Sequence, residues 1–76
     1  MVLKREVEVG RVVEFDGYNG IILGYDKNAY LLKKTEILGD ISLKVGDKVV
    51  FEKELIKNLE IGDILVARFI KKYVSK

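Results

Sequence analysis

A chain of 76 residues with a net charge of +2 and 34% charged residues allows one small domain, and it excludes the strongly basic stripe of an electrostatic DNA binder. It has no cysteine and no histidine, which removes a disulfide framework, a thiolate metal site, the commonest metal ligand and the commonest general base. No apolar run reaches a membrane-spanning length and Met1–Glu6 lacks an apolar leader core, so the expectation is a cytoplasmic, non-enzymatic protein with no membrane segment and no cofactor.

From the N-terminus, residues 1–8 alternate loosely between apolar and charged, with Lys4 and Arg5 expected in water. Val12, Val13 and Phe15 are β-formers, which predicts a first strand from Val9 to Phe15. Gly17-Tyr18-Asn19-Gly20 is a tight turn, and a second strand runs from Gly20 to Tyr25. Asp26-Lys27-Asn28 turns the chain again into a third strand, Ala29 to Lys33 or Lys34. Tyr25 and Tyr30 flank that turn and are expected to face one another across the strands. Thr35 to Asp40 suits a single helical or 3₁₀ turn, stopped by Gly39.

Val45-Gly46-Asp47 makes a tight turn into a fourth strand, in which Val49 and Phe51 share one face and Lys48, Val50 and Glu52 the other. Residues 53–63 fit a short amphipathic helix or an irregular hairpin equally well. Their apolar members Leu55, Ile56, Leu59 and Ile61 either cover a barrel mouth or form a surface for a protein partner or for self-association. Gly62-Asp63 turns into the last strand, Ile64 to Ile70, with Ile64, Val66 and Arg68 on one side and Leu65, Ala67 and Phe69 on the other. Residues 71–76 read as a frayed basic tail.

Five short strands with one helical turn between the third and fourth predict an all-β fold, a five-stranded antiparallel barrel of the OB type spanning residues 1–76, because closure removes exposed edges. An SH3-like barrel is the structural alternative; the helical turn favours the OB type. The carboxylates Asp47, Glu52, Glu54, Glu60 and Asp63 are scattered and read as surface groups rather than as a converging acid–base pair.

Several stretches resemble the cold-shock domain family. Gly10-Arg11-Val12-Val13-Glu14-Phe15-Asp16 is similar to that family's opening, Gly-x-Val-x-Trp-Phe-Asn, and Gly20-Ile21-Ile22 to the Gly-Phe-Ile of its first RNA-binding motif. Tyr30 to Ile37 lines up with its second motif, Val-Phe-Val-His-x-Ser-x-Ile, and Leu43 to Glu52 with Leu-x-x-Gly-x-x-Val-x-Phe-x. Ala67 and Ile70 fit the last strand's Ala-x-x-Val, so the likeness covers residues 9 to 71. The related S1 domain matches Lys34 to Ile37 and the Val45-Gly46-Asp47 turn almost as well.

The resemblance implies a nucleic-acid-binding module holding single-stranded RNA or DNA on the face of strands one to three. Cold-shock domains do this by stacking bases on aromatic rings. Here the corresponding positions are Glu14, Ile21, Leu31, Lys33 and Lys34, and the first hairpin turn is about two residues shorter in this alignment. The candidate nucleic-acid-binding residues are therefore Arg11, Lys33 and Lys34 for phosphates, Tyr18 for stacking, and Ile21 and Leu31 as an apolar floor, with weak and salt-sensitive binding expected. The alternative is a protein-interaction or assembly module on an OB or SH3-like barrel that has lost the nucleic-acid platform.

Overall fold

The computed structural model describes residues 6–74. The expectation for Lys4 and Arg5, and that for the last two residues of the tail, lie outside this range. Five strands form: β1 (Glu6–Phe15), β2 (Asn19–Gly24), β3 (Ala29–Lys33), β4 (Lys48–Ile56) and β5 (Ile64–Lys72), with a 3₁₀ turn at Lys34–Glu36. They close into a barrel in the order β1-β2-β3-β5-β4, with β4 returning to β1. Four of the pairings are antiparallel, and the closing seam, β3 with β5, is parallel through Leu31 and Val66. This is an all-β, OB-like barrel of the kind the strand count and the turn after β3 predict.

The alternation of the strands sorts the chain into an inside and an outside. Val12, Ile22, Tyr30, Leu32, Leu43, Val49, Phe51, Ala67 and Ile70 form the buried core, with Phe15, Ile37, Ile41 and Leu65 packed against it. Tyr30 and Phe51 meet edge to face, 4.9 Å between ring centroids at 61°. An aromatic pair of this geometry contributes about 0.5–1.5 kcal/mol beyond its buried area. The expected pairing of Tyr25 with Tyr30 does not occur. Tyr30 occupies an inward position of β3, whereas Tyr25 lies just past the end of β2 and is 55% exposed.

Two irregularities aim the side chains. Between Val12 and Glu14 the register of β1 against β2 slips by one residue, so Val13 and Glu14 are both exposed and Phe15 returns to the inner side. On its other edge β1 continues the ladder it forms with β4 into the β3–β4 loop: Val12 N donates to Asp47 O at 2.9 Å and Gly46 N to Val12 O at 2.8 Å. Opposite Phe51, β5 carries the second bulge, where Phe69 has φ of +52°. The simple alternation predicted for this strand therefore fails after Ala67. Phe69 turns outward, 43% exposed, and Ile70 takes the inward position.

The other boundaries follow from pairing partners. The 3₁₀ turn ends at Ile37 rather than at Gly39, because Ile37 bridges to Ile70 and Leu38 N donates to Ile70 O. Gly39 does adopt a positive φ, in the bend that follows. Residues 53–63 form a hairpin and no helix: β4 continues to Ile56, which pairs with Ile64, and Leu55 pairs with Leu65. Leu59 and Ile61, at the tip, project into solvent and do not cover the barrel mouth. Lys71 and Lys72 are not frayed, since they pair with Val50 and Val49, and Tyr73 N donates to Lys48 O. Gly20 is required by close approach: a Cβ there would lie 2.0 Å from the Glu14 carbonyl oxygen.

Candidate nucleic-acid interface

The outer side of β1, β2 and β3 is the surface on which the predicted residues meet. Register fixes its rows. Arg11 lies beside Leu23, and Leu23 beside Ala29. In the next row Glu14 lies beside Ile21, and Ile21 beside Leu31. Asn19 and Lys33 form the last row. Val13, Leu23 and Leu31 are 46%, 46% and 40% exposed, and Ile21 is half-buried between them. The result is a continuous aliphatic floor on a face that a solitary barrel has no folding reason to make apolar. Glu14 sits in the central row, with no ion-pair partner among the described residues.

The β1–β2 turn builds one end of this surface. Asp16 Oδ1 accepts from the backbone N–H groups of Asn19 at 2.7 Å and Tyr18 at 2.8 Å, and these bonds lower the Asp16 pKa. Gly17, with φ of +100°, lets the chain turn tightly enough to point Tyr18 outward, 69% exposed. Lys34 N donates to Tyr18 O at 2.9 Å, and the Lys34 ammonium stands 5.3 Å from the centroid of the Tyr18 ring. Tyr18 and Lys34 are thus one unit, a ring with a cation above it, next to Lys33.

At the opposite end, Arg11 lies directly across from Lys48 in the β1–β4 ladder. Lys48 Nζ is 5.3 Å from the centroid of Tyr25 and 4.3 Å from that of Tyr73. Burial alone raises the Tyr25 pKa, but hydrogen bonds and charge from Arg11 and Lys48 bring it below its ordinary value. Tyr25, Lys48 and Tyr73 are absent from the set of site residues read from sequence. Lys48 was legible as an outward residue of its strand, but its meeting with Tyr25 and Tyr73 depends on strand order and on the extension of β5.

Two further charge clusters lie away from this face. Lys53 reaches Asp26 at 3.3 Å, Glu6 at 3.5 Å and Glu8 at 3.6 Å, and Asp26 also accepts from the Tyr30 hydroxyl. Arg68 bridges Glu54 on β4 and Glu36 in the 3₁₀ turn, the latter at 2.7 Å, and these carboxylates hold its pKa above the usual arginine value. The Arg68 cluster lines the cleft formed with Thr35, Leu38 and Phe69. Each carboxylate named here is paired with a cation, three sharing Lys53 and two sharing Arg68, the arrangement of ion-pair clusters. No group of three or more acidic side chains that could hold a metal ion occurs among the described residues.

Comparison with family models, with curated proteins and with solved structures yielded no match. Among the described residues, no helix is long and apolar enough to cross a membrane.

Proposed function

We propose that this barrel is a cytoplasmic, non-catalytic module that binds single-stranded RNA or DNA on the outer face of β1–β3, in the manner the cold-shock resemblance implies. One observation carries the reading: Arg11, Ile21, Leu31 and Lys33 share a single solvent-facing surface, with Tyr18 and Lys34 at its edge, and the middle of that surface is aliphatic. Bases lie against Ile21, Leu23 and Leu31, while Arg11, Lys33 and Lys34 meet phosphates. Stacking on a ring is worth about 1–3 kcal/mol per base, so a floor with Tyr18 as its one ring at this end binds more weakly than an aromatic platform. Glu14 weakens it further by repelling phosphate.

The test is the affinity of a labelled oligothymidylate at low salt and its dependence on salt. Each phosphate contact to a single strand contributes about −0.7 to the slope of log K against log salt, so three cations give about −2. Binding too weak to detect at millimolar protein, or a slope near zero, defeats the reading.

A second reading rests on a different observation. Leu59 is 105% exposed and Ile61 71%, at the tip of the β4–β5 hairpin, with Leu55 and Ile56 also open to solvent. Such a tip suits a protein-interaction or assembly module, which predicts a concentration-dependent sedimentation coefficient that Leu59→Asp abolishes. A chain that is monomeric at all concentrations, with no partner affected by that change, removes this reading.

A further inference from the structure

The cluster of Arg11, Tyr25, Lys48 and Tyr73 has features that folding does not explain. Arg11 and Lys48 are direct cross-strand neighbours on β1 and β4, and like charges so placed are unfavourable in a sheet. Neither Arg11 nor Lys48 has a carboxylate within 4 Å among the described residues, whereas Lys53, Arg68 and Lys72 do. The other described lysines also lack one, but they are not set directly across the ladder from a second cation as Arg11 and Lys48 are. The neighbouring Asp47 is engaged by Lys72 at 3.6 Å and by the Lys44 backbone N–H at 3.0 Å. One guanidinium nitrogen of Arg11 donates to Gly46 O at 2.9 Å and the group also hydrogen-bonds the Tyr25 side chain, which anchors the fork at two points and leaves its remaining donors for a ligand. Tyr25 and Tyr73 flank the Lys48 ammonium, yet they stay 55% and 41% exposed. Two unneutralised cations side by side, walled by exposed rings, are complementary to a phosphate with an aromatic base attached.

We propose that Arg11 and Lys48 clamp one phosphate of a single-stranded nucleic acid, with Tyr25 stacking on the adjoining base and Tyr73 holding Lys48 in place. This rests on the reading of the β1–β3 face as a nucleic-acid surface and adds the length of strand it holds. Tyr18 and Tyr25 flank β2 seven residues apart, about 23 Å at roughly 3.3 Å per residue. A bound strand that touches both rings crosses the aliphatic floor between them, which sets a site of about four nucleotides, the lower end of what an OB-type barrel occupies.

The experiment uses the full chain with oligothymidylates of two, four and eight nucleotides at low salt, followed by anisotropy and by the intrinsic fluorescence of its four tyrosines, the chain having no tryptophan. Affinity rises steeply from two to four nucleotides and then levels. Lys48 shares the phosphate that Arg11 meets, so the wild-type salt slope stays near about −2 and Lys48→Gln lowers affinity several-fold at fixed salt with little change of slope. Tyr25→Leu lowers affinity about 5- to 100-fold with the slope unchanged. Lys48→Glu, which gives Arg11 a cross-strand partner, raises the Tm while abolishing binding, a pairing of effects that a merely structural lysine does not produce. If the wild type binds but Lys48→Gln and Tyr25→Leu leave its affinity alone, the clamp is wrong and the face reading stands. If the wild type binds no oligonucleotide, both fall. If a polyglutamate peptide competes at equal affinity, the cluster is an acidic-peptide site and the clamp is likewise overturned.

Discussion

Replacing Asp26 by Asn perturbs the polar lock beside the β2–β3 turn. Its Oδ1 accepts from Asn28 N at 3.0 Å, and Oδ2 accepts from the Tyr30 hydroxyl, from Asn28 Nδ2 at 3.1 Å and from Lys53 Nζ at 3.3 Å. Burial disfavours the charged carboxylate, but these donors outweigh it and bring the pKa from 3.8 down to about 2. At about 1.36 kcal/mol per pKa unit this corresponds to roughly 2 kcal/mol of linkage free energy. The side chain is still 22% exposed, and solvent screening reduces the share felt in stability to about 1 kcal/mol. The folded state binds fewer protons here than the unfolded chain, so the contribution is complete above about pH 4 and is lost as the pH falls through about 2. Asn keeps the shape and one acceptor and leaves Lys53 to Glu6 and Glu8. Thermal melts followed by circular dichroism then show D26N less stable by about 1 kcal/mol at pH 7, about 4–8 °C in a domain of this size, with the gap closing by about pH 2. A gap absent at neutral pH, or constant across the range, refutes the reasoning.

Three other outcomes follow from the same geometry. Glu14→Gln removes the carboxylate from the middle of the floor, and oligonucleotide affinity measured at low salt rises several-fold while the Tm stays within the change of about 0.5 kcal/mol expected of an exposed site. Gly20→Ala puts a methyl group 2.0 Å from the Glu14 carbonyl oxygen and 2.8 Å from Phe15 Cα, so urea titration shows a loss of about 3 kcal/mol or more, or no folded protein. Burial, and then the hydrogen bond to Asp26, raise the Tyr30 pKa, so the stability that depends on its neutral form is intact below about pH 10 and declines as the pH rises through the raised value. Tyr30→Phe flattens that alkaline decline in urea midpoints, at the expense of the Asp26 hydrogen bond at neutral pH.

The barrel is legible in the sequence because its determinants are local. Glycine and Asp–Asn turns delimit the strands, and Val49 and Phe51 occupy the buried face that period-two alternation assigns them. Val12, Ile22 and Leu32 instead have apolar neighbours in Val13, Ile21, Leu23 and Leu31, so that strand pairing rather than polarity decides which of them is buried. What alternation misses is where the period breaks. Nothing local announces that Phe69 takes a left-handed conformation and hands its inward place to Ile70, because that bulge is set by the partner strand. Tyr25 likewise looks like a partner for Tyr30, but β4 brings Lys48 to its ring and the chain after β5 brings Tyr73 to the same ammonium. On the candidate face, Arg11, Ile21, Leu31 and Lys33 are brought together as the strand assignments imply, since hairpin register is enough to align them. The far end depends on the β1–β4 contact, which joins residues 37 positions apart in sequence, Arg11 and Lys48, and no spacing rule reaches that far.

Amide chemical shifts of the full chain, followed during titration with an eight-nucleotide oligothymidylate at low salt, test the central claim most directly. The account predicts that the signals of Arg11, Tyr18, Ile21, Leu31 and Lys33 move together, that those of Leu59 and Ile61 do not, and that added salt reverses the movement. Signals that stay fixed at millimolar oligonucleotide, or shifts confined to the β4–β5 hairpin tip, contradict it.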